Sequence, residues 1–291
     1  MANCTRCNLC DKPGTFAEAT DVAQVPCNVR RFQHELFTVW RCTNCASLHS
    51  KEDAELARYY RDYPLQQQQL DPVLRVAYGN RLRLLKKRGL SRTSSMLDFG
   101  CGSGTFVEFL RQHGYGRVSG YDAYVEKYAD SSLLSQRFDI VVSYDVVEHA
   151  DDPRACLAVL GRLLDVGGLL VIGTPNADHV SLKQLTAPEL HQPYHRHVLS
   201  ERALTDIVTD YGFEAEHVYR RLYIDSLYPA LNTRFVWEYS DALGGLLDPL
   251  LEPPRPSVVL RSPKLLFYAL FGYFFPTRGN ILISFRKQRA A

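Results

Sequence analysis

The chain has 291 residues, with 34 basic against 32 acidic side chains and a net charge of +2. That length suits one full α/β domain with small appendages, and the balanced charge gives little support for nucleic acid as a partner. The start, Met1-Ala2-Asn3-Cys4, lacks the apolar core of a signal peptide. The longest apolar run, Leu265 to Phe275, is 11 residues and too short to span a bilayer, so no transmembrane segment and a cytoplasmic location are expected.

In chain order the cysteines come first. Six of the eight lie in the first 45 residues: Cys4, Cys7, Cys10, Cys27, Cys42 and Cys45. In a reducing compartment such clustering indicates metal rather than disulfides. Cys7-x2-Cys10 and Cys42-x2-Cys45 form two knuckles able to give four thiolates to a tetrahedral zinc, with a hairpin between them. Cys4-x2-Cys7 is the alternative register, and Cys27 and His49 are left as extra candidate ligands. A ferredoxin-like run would need a further cysteine at position 14, which is Gly14, so structural zinc is the expectation. Residues 1–50 therefore read as a zinc-binding module.

Residues 51–90 read as a helical linker or lid, with helices over Glu52–Tyr60 and Pro72–Gly89 separated by a Pro64/Gln66–Gln69 loop. Arg81, Arg83, Lys86, Lys87 and Arg88 form the densest basic patch, and a solvated helix face is its simplest reading.

The most informative stretch is Met96-Leu97-Asp98-Phe99-Gly100-Cys101-Gly102-Ser103-Gly104-Thr105-Phe106. A buried strand ends in an acid, meets three glycines spaced by two and enters a helix. Such glycines let the backbone turn tightly and approach a ligand at the carboxyl end of a strand in an open α/β sheet. A dinucleotide fingerprint would place its last glycine at Thr105, and a P-loop would need a Gly-Lys-Ser/Thr ending, which is absent. An acid just before the loop suits an ammonium group and hydroxyls, not a pyrophosphate. Arg117 to Asp122 reads as a second strand ending in an acid, 20 residues after Gly102 and placed to accept hydrogen bonds from a ribose diol. The apolar core of Phe138–His149 and the run Gly167–Asn176 read as buried parallel strands, with Asp152 and Pro153 opening the helix between them. Only 15 residues separate Asp122 from Phe138; Tyr124–Ala129 could start a helix there, and no further strand is visible before Phe138.

These motifs, in this order, resemble those of class I S-adenosylmethionine-dependent methyltransferases, and "FDIVVSYDVVEHADDP" and "GGLLVIGTPN" resemble the ubiquinone-biosynthesis type in particular. The resemblance covers about residues 91–220. It implies a Rossmann-like doubly wound sheet with S-adenosylmethionine held by Asp98, Gly100, Gly102, Gly104, Tyr121 and Asp122. Some sugar C-methyltransferases and ribosomal RNA methyltransferases are similar in joining an N-terminal zinc module to this fold. After the helix from Ser200 to Tyr211, Phe213–Tyr219 and Ile281–Phe285 read as strands, the last antiparallel by the same resemblance. Residues 221–291 are thus an aromatic-rich insertion plus the last core strand. The insertion's rings, Tyr223, Phe267, Phe271 and Phe274 among them, are expected to form a secondary core or dimer contact. The functional alternative is an acceptor pocket or membrane-facing surface.

Methyl transfer to oxygen calls for a base, and histidine suits the role near neutral pH. His149 follows Glu148 after the fourth core strand. His191, His195 and His197 cluster within seven residues after the fifth, out of nine histidines in all, and the expected base is His149 or one of the pair His195 and His197. His195 and His197 alternate as ligands on a strand would, although their segment has no carboxylate or cysteine close in sequence. The expected activity is O-methylation of a hydroxylated small molecule such as a sugar, polyketide or lipid intermediate. The rivals are an RNA methyltransferase gripping RNA through its zinc module and a non-catalytic donor-binding protein.

Overall fold

A computed structural model describes residues 3–60, 69–222 and 224–289. Tyr223 and all of the Pro64/Gln66–Gln69 loop except Gln69 lie outside the described residues. The ordered elements begin with β1 (Val22–Pro26), β2 (Leu36–Arg41) and β3 (Leu48–Ser50), then α1 (Leu56–Tyr60) and α2 (Pro72–Lys87). The core follows as β4 (Met96–Phe99), α3 (Thr105–Gln112), β5 (Val118–Tyr121), β6 (Phe138–Tyr144), α4 (Pro153–Arg162) and β7 (Leu164–Pro175). Next come β8 (His197–Val198), α5 (Glu201–Asp210), β9 (Phe213–Tyr219), α6 (Thr233–Ala242), α7 (Asp248–Leu251), α8 (Pro256–Leu260), α9 (Pro263–Phe271) and β10 (Asn280–Lys287).

The large sheet has the order β5-β4-β6-β7-β10-β9. Its first four strands run parallel, and β10 lies antiparallel to both β7 and β9, as expected. Met96, Leu97, Val141 and Val142 are inaccessible because helices cover both faces of a parallel sheet. The helix starts follow from the local sequence. Asp71, Asp152 and Ser200 each accept a hydrogen bond from the backbone N–H three residues on, and Pro72 and Pro153 occupy first-turn positions where a missing N–H costs nothing. Between β5 and β6 lie only two 3₁₀ turns, Glu126–Tyr128 and Ser131–Ser135, so β5 is the sheet edge. The strand order reverses between β4, β5 and β6, which opens a crevice at the carboxyl end of β4.

The small sheet holds a finding that the sequence did not announce. Its order is β1-β2-β3-β8, all antiparallel, so a two-residue strand from beyond β7 completes the cysteine-bearing ribbon. Cys7, Leu9, Trp40, Cys42 and Cys45 share one buried cluster with Leu97, Leu160, Ile172 and Phe285 of the large sheet and its helices.

Two expectations are refined. Arg81 is not on a solvated face: it is 6% exposed, with its guanidinium 3.9 Å from the Tyr144 ring centroid. The insertion does form its own small core, on Phe235, Tyr239 and Leu265. Yet Phe267, Leu270, Phe271, Phe274 and Phe275 stay 45–63% exposed. No helix among the described residues is long and apolar enough to cross a membrane.

Candidate active site and metal centres

The glycine loop sits at the mouth of the crevice. Gly100, Gly102 and Gly104 all have φ between +54° and +78°, which only glycine adopts without strain. A Cβ on Gly100 would strike the Val146 side chain, and one on Gly104 would strike the Tyr128 hydroxyl, whereas beyond Gly102 there is open space. The Gly100 and Cys101 amides donate to the Tyr121 carbonyl at 2.7 and 3.1 Å, tying the loop to β5. The Tyr121 ring packs 5.3 Å from that of Phe99. Asp122 accepts from the Gly102 amide at 3.0 Å through one oxygen and from the Tyr124 amide at 2.9 Å through the other. A carboxylate has about four acceptor positions, so two remain for a diol.

Asp98 is 4% exposed at the end of β4. Burial pushes its carboxyl up to about 7, with Asp122 adding to the rise and Arg81 opposing it. Full ionisation at neutral pH therefore calls for another cation. An amino-acid ammonium supplies one, and the cradle fits S-adenosylmethionine on that ground. Tyr128 escaped sequence reasoning. It follows Asp122 by six residues, and its only sequence signal is that it is an early aromatic in the trimmed interval, yet its ring covers the Gly104 end of the loop.

Across the crevice, β6 is followed by Asp145, held at φ +55° with its carboxylate 3.8 Å from Arg81. A 3₁₀ turn, Val147–His149, follows. Glu148 is fully buried; one oxygen accepts the Thr174 hydroxyl at 2.9 Å, and the other has no partner among the described residues. Burial raises its carboxyl well above the usual range. The His149 Nδ1 lies 3.0 Å from the Tyr194 carbonyl and 3.2 Å from the Tyr60 hydroxyl, and the His195 Nδ1 lies 2.8 Å from the Glu189 carbonyl. A carbonyl only accepts, so each Nδ1 carries the proton and each Nε2 keeps a lone pair. The two rings meet edge to face at 4.9 Å between centroids. Burial lowers His149 to about 3 and His195 to about 4, so both are neutral near pH 7.

Space supplies what the sequence neighbourhood lacked. One ligand atom from each of Glu148, His149 and His195 falls within a 4.8 Å group, and Cys4, His49 and His197 form another such group. His197 is therefore separated from His149 and His195: it faces the ribbon, not the crevice. Cys27 joins neither group; it is buried in a cluster with Phe32, Phe37 and Tyr194.

The four expected cysteines do converge. Sulfur–sulfur separations are 3.8 Å for Cys7–Cys10, 3.7 Å for Cys7–Cys45 and 3.9 Å for Cys10–Cys42. A tetrahedron with zinc–sulfur bonds of about 2.3 Å has edges of about 3.8 Å, so the donor set fits zinc.

Residues 67–218 match the family described as a methyltransferase domain. A 102-residue stretch is 33% identical to the ubiquinone biosynthesis O-methyltransferase of Cereibacter sphaeroides, covering 28% of this chain and 41% of that protein. A 117-residue stretch is 27% identical to the Coxiella burnetii protein of the same name, covering 33% and 50%. The chain thus spans about half or less of the length of these curated relatives. Among solved structures, phosphoethanolamine N-methyltransferase 2 of Haemonchus contortus aligns at 16% identity with a TM-score of 0.47, covering 87% of this chain and 64% of that one. With just over half of its residues inside the domain match, and with the glycine loop and acidic strand ends set on a parallel sheet, the chain belongs to the methyltransferase-domain family.

Proposed function

We propose that the protein is an S-adenosylmethionine-dependent methyltransferase acting on an oxygen of a hydroxylated small molecule, a sugar, polyketide or lipid intermediate. The observation that carries the reading is the facing arrangement at one crevice: Asp98, Asp122 and the glycine loop on one side, and Glu148, His149 and His195 on the other. When bound, the donor supplies an electrophilic methyl group on a sulfonium. Asp98 takes the ammonium, Asp122 takes the ribose diol, and Tyr121 lines the donor side. The glycines let the backbone approach the donor closely. An in-line displacement needs mainly alignment and exclusion of water. His149 or His195 accepts the acceptor's hydroxyl proton at Nε2, and the buried Glu148 carboxyl lies within reach of the imidazolium that forms. The ribbon holds one zinc on Cys7, Cys10, Cys42 and Cys45. The similarity to O-methyltransferases supports oxygen as the methylated atom.

Calorimetric titration with S-adenosylmethionine tests the donor half, and labelled donor with fractionated cell extract tests the acceptor half. Binding followed by label entering a small-molecule fraction is expected. No heat of binding and no labelled product would overturn the reading.

A further inference from the structure

The ribbon and the catalytic segment meet at a pair of histidines that the four-cysteine centre does not use. His49 on β3 and His197 on β8 are register partners, 0% and 3% exposed, with their Nδ1 atoms 2.9 Å apart. The Cys4 thiol completes a group of three ligand atoms lying within 4.8 Å of one another. The His197 Nε2 donates to the Asp151 carbonyl at 3.3 Å, which fixes its proton there and turns the Nδ1 lone pair toward His49. Histidines that ligate metals are held in this way, by a carbonyl on the far nitrogen. Without a cation the two facing nitrogens share a single proton, and the His49 Nε2 is buried with no partner among the described residues.

We propose that Cys4, His49 and His197 form a second metal site, taking a borderline divalent cation of the zinc type. The donor set is one thiolate and two imidazoles, the mixture such cations favour. Metal–nitrogen bonds of about 2.0–2.1 Å give a nitrogen–nitrogen edge of about 3.3 Å, so the rings part by roughly half an ångström on binding. Cys4 is half-exposed, which gives the ion an entry path and leaves the fourth position to water. The site clamps the amino-terminal segment around Cys4 and β3 to β8. Because His197 lies two residues beyond His195, the ion fixes the loop that carries His195 into the crevice.

Metal analysis of the full chain, saturated with zinc and freed of excess by gel filtration, tests this directly. The expected count is two zinc ions per chain. His197→Gln and His49→Gln should each lower it to one with the circular-dichroism spectrum unchanged, and His149→Gln should leave it at two. In the cobalt-loaded protein, His197→Gln should remove the bands of a mixed nitrogen–sulfur site and keep those of a four-thiolate site. A count of one in the wild-type chain, or of two in both His197→Gln and His49→Gln, would overturn the proposal. Neither result touches the methyltransferase reading, which donor titration tests separately.

Discussion

Asp98 and Asp122 are both acids at the ends of neighbouring strands, yet their surroundings give them different parts. Asp122 is tied to two loop amides, so Asp122→Ala removes the diol's acceptor and also unpins Gly102. Each charge-assisted bond is worth about 1.5–3 kcal/mol, so calorimetry should show donor affinity falling at least tenfold. Asp98 is the pH-sensitive partner. With its carboxyl raised to about 7, the free protein holds a proton there below that pH. An incoming ammonium must displace it, so donor affinity should fall about tenfold for each pH unit below 7 and level off above. Asp98→Asn should flatten that profile and lower affinity on the plateau; a wild-type profile already flat from pH 5.5 to 8 would contradict the assignment. The histidines behave in the opposite sense. Burial lowers His149 to about 3, so its lone pair is available throughout pH 5–9, and protonation of the base should impose no acid limb on kcat in that range. His149→Ala should keep donor affinity but lose about 10²–10⁴-fold in turnover if His149 is the base. The parallel His195→Ala variant decides between them: the base mutant loses kcat, while loss of a residue that only positions the acceptor raises KM.

At the level of elements, what was legible in the sequence was what local patterns determine. The strand Phe213–Tyr219 and a strand within Phe138–His149 were readable from apolar patterning between turn signals, the α4 start from Asp152-Pro153, and the knuckles from cysteine spacing. What stayed hidden depends on tertiary neighbours. A two-residue strand such as β8 has no period to detect, and its partner β3 lies nearly 150 residues earlier. The basic run on α2 resembles a solvated face until Tyr78, Phe106 and Tyr144 close around the Arg81 guanidinium. Arg81→Met tests that packing. A desolvated cation–aromatic contact is worth about 2 kcal/mol, so chemical denaturation should show a loss of that order. The same variant removes the cation that opposes the rise of Asp98, so the pH at which donor affinity begins to fall should move upward. The proposed zinc centre is tested at this scale too. A small sheet with four thiols at its centre has little core of its own once a metal they hold is removed. Chelation should therefore release Trp40, which is fully buried beside that centre, and shift its fluorescence to the red, whereas Trp237 of α6 stays in place.

Across the whole molecule, charge and apolar surface are sorted in a way that the net charge of +2 conceals. From Pro253 to Ala291 the sequence contains no acid, while Arg255, Arg261, Lys264 and Arg278 flank the α8–α9 region. On that same stretch Phe267, Leu270, Phe271, Phe274 and Phe275 are each 45% exposed or more, a concentration of exposed large apolar side chains. The insertion also reaches the crevice. Trp237 donates to Glu189 at 3.2 Å, and the Glu189 backbone carbonyl holds His195. Arg255 and Lys264 pair with Glu252 and Glu238, so the basic side of this surface rests on Arg261 and Arg278. Exposed rings beside them suit the interface of an anionic bilayer, where rings enter the acyl boundary and arginine heads stay at the phosphates. The protein is expected to co-sediment with vesicles containing phosphatidylglycerol and not with pure phosphatidylcholine, and the bound fraction should fall as salt rises. Phe271→Asp combined with Phe274→Asp should abolish sedimentation while leaving donor binding intact, since neither ring touches the glycine loop. Should the wild-type chain instead stay in solution with vesicles and dimerise in the ultracentrifuge, the patch would be a contact between copies, and a lipid acceptor would lose its main structural support.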